Sequence, residues 1–249
     1  MTGLLASVVS AAEAMTAVAG GADILDLKDP SKGALGALAS VTIAEIVATV
    51  ANRRIVSATA GDLPMEPEIV RDAVQRLALL NVDIVKVGLF PGGDVSACIS
   101  ALSQMAGRGV RLVAVMFADQ QPDFALIPTL QAAGFAGAML DTAGKQFGGL
   151  RGFLPPARLR EFVQVAAESG LMSGLAGSLR LEDVESLALL EPDYLGFRGG
   201  ICAAGRESPL SLEKLRAVRA AVDLANDHQR AAKTATAAAG AQRAAHSVA

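Results

Sequence analysis

Eight short runs rich in valine, isoleucine and leucine alternate with eight longer alanine- and leucine-bearing segments of helical period. That alternation confines the chain to parallel strands joined by crossover helices. The expected strands are 4–9, 22–28, 54–58, 83–89, 111–117, 137–141, 171–175 and 194–198, and the expected helices are 11–19, 42–51, 66–80, 95–108, 124–133, 156–169, 181–190 and 211–224. Eight units without a compositional break favour a single closed (β/α)8 TIM barrel over an open doubly wound sheet, and 249 residues is a suitable length for one. Pro67 and Pro209 fall where a first helical turn tolerates a missing N–H, and Gly170 stands where a helix ends. The barrel domain is expected over 1–226. Residues 227–249 have no large apolar side chain before Val248 and are expected to form a disordered or frayed Ala-rich tail.

Composition excludes several classes of function. With 52% hydrophobic residues the chain can bury a large core, while a net charge of −3 and 4% aromatic residues supply no basic stripe with stacking rings for nucleic acid. Cys98 and Cys202 stand far apart and beside no other ligand type, which argues for a reducing compartment and against zinc. No metal and no organic cofactor is expected. The first 27 residues carry no Lys or Arg but do carry Glu13, unlike a secretory leader. The longest uncharged run, 124–140, contains Pro128, Gln131 and Gly134 and falls short of a membrane span. A soluble, cytoplasmic protein is expected, its outer helix faces compatible with a monomer or a homo-oligomer.

The chemistry is carried by few residues. Only six lysines occur, and Lys28, Lys86 and Lys145 fall at or just beyond the ends of expected strands two, four and six. A strand interior excludes a solvated ammonium unless something partners it, whereas the C-terminal rim of a parallel barrel is where an amine can meet a substrate. Alternation puts Asp26 and Lys28 on the inward face of strand two and Lys86 on the inward face of strand four, with Asp141 ending strand six. Alternate strands fill the same interior layer, so Lys28, Lys86 and Asp141 can converge. Clustered, half-buried ammonium groups lower one another's pKa, giving a free amine able to form an imine, with Asp26 or Asp141 to shuttle protons. The other reading is a set of interior ion pairs plugging the mouth. His228 and His246 lie in the tail, so no histidine triad or histidine metal site is expected.

Two glycine-bearing turns follow strands seven and eight: Gly177-Ser178 and Arg198-Gly199-Gly200. In barrels these loops frequently cradle phosphate with backbone N–H groups. Arg198 would add a charged fork there, or else pair with Asp141. The loop 29–36 brings Lys32, Gly33 and Gly36 close behind Lys28, with a solvated Lys32 as the default.

The runs GADILDLKDPSKGALGA (21–37), DIVKVGL (83–89), DTAGK (141–145), GLAGSLRLEDV (174–184) and PDYLGFRGGIC (192–202) together resemble the (5-formylfuran-3-yl)methyl phosphate synthase family of methanofuran biosynthesis. The resemblance runs from residue 1 to about 222. It implies a (β/α)8-barrel lyase that condenses two molecules of glyceraldehyde 3-phosphate, a phosphorylated triose, with loss of phosphate and water. It further implies Lys28 as the Schiff-base lysine, Lys86 as the proton acceptor, and Asp26, Asp141 and Lys145 as further active-site residues. A class I aldolase on another sugar phosphate and a non-catalytic phosphosugar-binding barrel are the alternatives.

Overall fold

The computed structural model describes residues 1–144 and 148–246, with side chains described as far as residue 235. Eight parallel strands close in chain order into one barrel: β1 (Gly3–Val8), β2 (Ile24–Leu27), β3 (Ile55–Thr59), β4 (Ile84–Gly88), β5 (Leu112–Phe117), β6 (Gly137–Asp141), β7 (Met172–Leu175) and β8 (Tyr194–Phe197). Outside run helices α1 (Ala11–Ala19), α2 (Ser40–Val50), α3 (Pro67–Ala78), α4 (Val95–Gly107), α5 (Ile127–Ala132), α6 (Leu150–Phe153), α7 (Pro156–Glu168), α8 (Val184–Ala188) and α9 (Leu212–His246). This is the single (β/α)8 barrel that the alternating pattern requires.

The period-two pattern sorts the strand side chains into two separate cores. Leu25, Leu27, Val85, Val87, Ala138 and Leu140 face the helices, while Ile24, Ile84, Val113, Val115, Met139 and Tyr194 fill the barrel interior. Both layers are close to fully buried. At about 25 cal/mol per Å² of apolar surface, the two layers supply the main force holding the barrel closed.

At the N-terminal end of the barrel one local device recurs. The aspartates just before β2, β4 and β8 each accept a backbone N–H from the preceding strand: Asp23 from Leu4 at 2.7 Å, Asp83 from Val56 at 2.7 Å and Asp193 from Ser173 at 2.7 Å. Each satisfies a donor that the strand ladder leaves over. The same end is latched by Thr2 and Asn226, whose side-chain amide bonds the Thr2 backbone in both directions.

The helices differ from expectation in four places. The segment 124–133 divides into a 3₁₀ turn, Phe124–Leu126, and α5, because Pro128 can only occupy a first helical turn. The segment 181–190 likewise opens with a 3₁₀ turn, Leu181–Asp183, and the short α6 is an addition. The last helix was expected to stop at 224 and to give way to a disordered tail from 227. Instead α9 continues to His246. Alanine is the strongest helix former and no proline interrupts it, so the backbone stays helical without an apolar stripe. Its first turns beyond Asn226 also touch the barrel: the Gln229 amide donates to Ala188 O, and Lys233 pairs with Glu191 at 2.8 Å. No helix among the described residues is long and apolar enough to cross a membrane.

Candidate active site

At the C-terminal mouth four charged side chains from β2, β4 and β6 are buried together: Asp26, Lys28, Lys86 and Asp141. They form two pairs. Lys28 Nζ, just past β2, lies 3.2 Å from Asp141 Oδ2 at the end of β6, and Lys86 Nζ on β4 lies 3.0 Å from Asp26 Oδ1 on β2. Asp26 is therefore the partner of Lys86 and not of its sequence neighbour Lys28. Residues two apart on a strand stand about 6.6 Å apart along the strand, so Asp26 and Lys28 occupy successive interior layers.

Each carboxylate is held by further donors. Asp26 accepts from Ser57 Oγ at 2.7 Å and Ser7 Oγ at 3.3 Å, and Asp141 accepts the Thr142 N–H at 2.7 Å. Burial alone would raise the Asp26 pKa, but Lys86, Lys28 and the Ser57 hydroxyl outweigh it and hold the carboxylate below its usual range. Lys86 goes the other way. Burial disfavours its ammonium and the Lys28 charge adds to that, so its pKa is lowered although Asp26 pulls upward. Beyond this ion pair Nζ has no other hydrogen-bond partner among the described residues. Instead it lies 5.7 Å from the centre of the Tyr194 ring. Burial, followed by the fields of Asp26 and Asp193, raises the Tyr194 phenol pKa and keeps it neutral.

Beside these pairs opens a cavity of about 1030 Å³, walled by the ends of β1, β2 and β6 and by the loops after β6, β7 and β8. Lys28 and Asp141 line it. Gly177 and Ser178 and the facing Gly199 and Gly200 line it too, and their N–H groups donate to nothing else among the described residues. Gly177 has φ +111°, and a Cβ there would meet Thr142 Cγ2 at 2.9 Å; a Cβ at Gly200 would meet Leu179 O at 2.5 Å. Glycine is what lets these two loops pack together and leave amides facing the cavity.

Arg198 has a different role from either expected one. All five of its N–H donors are committed: to Arg206 O, Ser7 O, Ser208 O and both oxygens of Glu13, the shortest at 2.5 Å. It has no donor left for a phosphate and it does not pair with Asp141. The buried Glu13 on α1 decides this, because it is a fixed counter-charge that also caps the Val9 N–H at 3.0 Å. Lys32 lies at the surface with Asp29 3.0 Å away. Lys145 lies outside the described residues.

Sequence reasoning missed Ser7, Ser57 and Arg206. Ser7 and Ser57 are polar residues at inward positions of β1 and β3, a signal that alternation makes readable. Arg206, which lines the cavity and donates to Pro30 O at 2.7 Å and Gly33 O at 3.2 Å, sits in an irregular loop with no such signal.

A closed parallel barrel whose strand-end cavity joins a lysine–carboxylate pair to two glycine loops defines the class, a (β/α)8 barrel with an amine- and carboxylate-based site. Solved structures agree on the fold. The phosphoribosyl anthranilate isomerase of Thermotoga maritima superposes with a TM-score of 0.66 at 14% identity over 90% of this chain and 99% of its own. The 3-hexulose-6-phosphate synthase of Salmonella typhimurium gives 0.64 at 19% identity over 90% and 100%.

Sequence comparison supplies the family. The model of 4-HFC-P synthase matches residues 4–219, and the chain belongs to that family. It is 40% identical over 214 residues to the (5-formylfuran-3-yl)methyl phosphate synthase of Methanopyrus kandleri, covering 81% of this chain and 90% of the relative. To that of Methanosarcina mazei it is 33% identical over 222 residues, covering 84% and 94%. A protein of Methylorubrum extorquens provisionally given the same name is 44% identical over 201 residues, 81% of this chain and 83% of its own.

Proposed function

We propose that this chain is a cytoplasmic lyase of methanofuran-type cofactor biosynthesis. It condenses two molecules of glyceraldehyde 3-phosphate into (5-formylfuran-3-yl)methyl phosphate, with release of phosphate and water. The observation that carries the reading is the different exposure of the two amines: Lys28 meets the cavity beside Asp141, whereas Lys86 is sealed below it with its charge disfavoured. The names of the relatives supply the product.

In this reading Lys28 attacks the aldehyde of the first triose. Asp141, 3.2 Å away, takes the ammonium proton and returns it to the carbinolamine hydroxyl as water leaves. The imine is an electron sink that acidifies the neighbouring carbon, so enamine attack on the second aldehyde and loss of the β-phosphate both become accessible. Lys86, held towards the free amine, is the proton acceptor, and Asp26 keeps it oriented. The amides of Gly177, Ser178, Gly199 and Gly200 hold a substrate phosphate. Lys145 enters through the family resemblance alone.

Incubation with glyceraldehyde 3-phosphate tests this when inorganic phosphate and furan absorbance are followed together. Both are expected to rise in step. A carbon–carbon bond formed with all phosphate still organic would make the protein an aldolase, and binding without turnover would leave a phosphosugar-binding barrel.

A further inference from the structure

Although Asp26 and Lys86 are the natural proton store of the mouth, neither lines the cavity among the described residues. Each has about 2% of its surface exposed. The strand residues that do line it include Ser7, whose hydroxyl donates to Asp26 Oδ2 at 3.3 Å. Among the described residues Ser7, itself 3% exposed, is the one that both lines the cavity and hydrogen-bonds Asp26 through its side chain. The other serine on that carboxylate, Ser57, is fully buried on β3. Ser7 is also held in place: its carbonyl accepts from Arg198 at 3.1 Å, and Arg198 is clamped by Glu13.

We propose that Ser7 is the proton relay between substrate in the cavity and the buried Asp26–Lys86 pair. The proposal rests on the reaction proposed above and adds a residue to it. When the Lys28 enamine attacks the second aldehyde, a carbon–carbon bond forms and the carbonyl π pair moves onto oxygen. The Ser7 O–H proton passes to that new alkoxide. Asp26 resupplies Ser7 with a proton taken from the Lys86 ammonium, which is left as the free amine. The same path run backwards has already carried the proton released in the conversion of imine to enamine from the substrate carbon to the Lys86 free amine, so each turnover returns the pair to its starting state and no oxidant or further reactant is needed. The arrangement lets a fully sealed amine serve a reaction that it does not touch.

The test uses two serines that share one carboxylate. With glyceraldehyde 3-phosphate as substrate, Ser7→Ala is expected to lower kcat by about 10²-fold, the lower range for loss of a proton-transfer group. Because the block falls after imine formation, borohydride added at steady state should label Lys28 at least as heavily as in wild type. Ser7→Thr, which keeps a hydroxyl, should recover at least about tenfold of the loss, and Ser57→Ala should stay within about tenfold of wild type. Equal losses in Ser7→Ala and Ser57→Ala would show that both serines merely hold Asp26 and would overturn the relay, as would a Ser7→Ala kcat within about threefold of wild type. If Ser7→Ala does not fold, Ser7→Cys keeps the volume with a weak donor and is read in the same way. Absence of label on every lysine of an active wild-type enzyme would sink the imine reading, while the serine comparison, read on product alone, still decides the relay.

Discussion

The two halves of the barrel mouth are built on opposite plans. Over β3 to β5 the mouth is shut: Phe90 and Phe117 stack with ring centroids 4.5 Å apart, and Leu35 from the loop after β2 closes over them. The inward position above Lys86 is Gly88, and the space its missing side chain leaves is taken by Phe90 Cε2 and Leu35 Cδ1, 2.4 and 2.8 Å from where a Cβ would be. Asp62 pins this lid by accepting the N–H groups of Ala34 at 2.9 Å and Leu35 at 2.7 Å. Over β6 to β8 and β1 the mouth is open, glycine-lined and polar. One ring of strands thus gives its two lysines different solvents. The shut side costs Lys86 its hydration and lowers its pKa; the open side gives Lys28 access to a ligand. In the proposed reaction, a nucleophile and a proton acceptor made from the same residue type are distinguished by what lies above them.

The largest effect is expected on the open side. Lys28→Arg keeps a cation opposite Asp141 but cannot form an imine, so it should fold and be inactive, with no borohydride label on the peptide containing residue 28. Label on that peptide in wild type but full turnover in the variant would break the assignment of the open side to the nucleophile.

On the shut side, Lys86→Met should lower turnover by roughly 10²–10⁴-fold while the imine on Lys28 still forms. It should also reverse a pH dependence. In the native protein the Asp26 pKa is depressed below 3.8, so its contribution to stability is present above that value and is lost as pH falls through the lower folded value. Without Lys86 burial is the dominant influence, and the folded pKa should exceed the unfolded one. The variant is then best off with Asp26 protonated and should lose stability as pH rises through and above 3.8. Melting temperatures across that range would show the change of sign, and parallel curves would mean that Lys28 and the Ser57 hydroxyl suffice to hold the carboxylate charged.

Gly177→Asp places a negative charge and a strained side chain among the amides of the open side. It should raise KM by about tenfold or more, equivalent to roughly 1.4 kcal/mol, with a smaller change in kcat. An unchanged KM in a folded variant would move the phosphate away from these loops. The smallest effect on turnover is expected from Leu35→Ala, which thins the lid. Stability should fall by about 2–5 kcal/mol as for other buried leucines, and the Lys86 pKa should rise towards its ordinary value as water enters. A pH–rate profile whose lysine limb does not move would show that the lid shapes the mouth without tuning the amine.

Much of this was legible in the residues. The eight alternations, the inward parity of Asp26 and Lys86 and the place of Asp141 at the end of its strand are local facts about periods of two and 3.6, and they survive folding because each strand buries both faces. Glycines 177, 199 and 200 were legible for the same kind of reason, since tight turns at strand ends leave few other choices. Which lysine meets which carboxylate was not legible. It depends on the stagger between strands when the sheet closes, and this sets Lys86 against Asp26 and Lys28 against Asp141. Arg198 was misread because its partner, Glu13, is 185 residues away in sequence and reaches it only when β8 closes on β1.

The sequence by itself determined the barrel, the identity of the amines and carboxylates at its mouth, and the family, because hydrophobic period and residue type are carried by short stretches of chain. Only the tertiary structure decided which side of the mouth is shut, which amine loses its water and which serine lines the cavity. Those properties arise from the closure of β1 on β8 and from loops packing over strands distant in sequence, where burial and distance set the electrostatics of each charge.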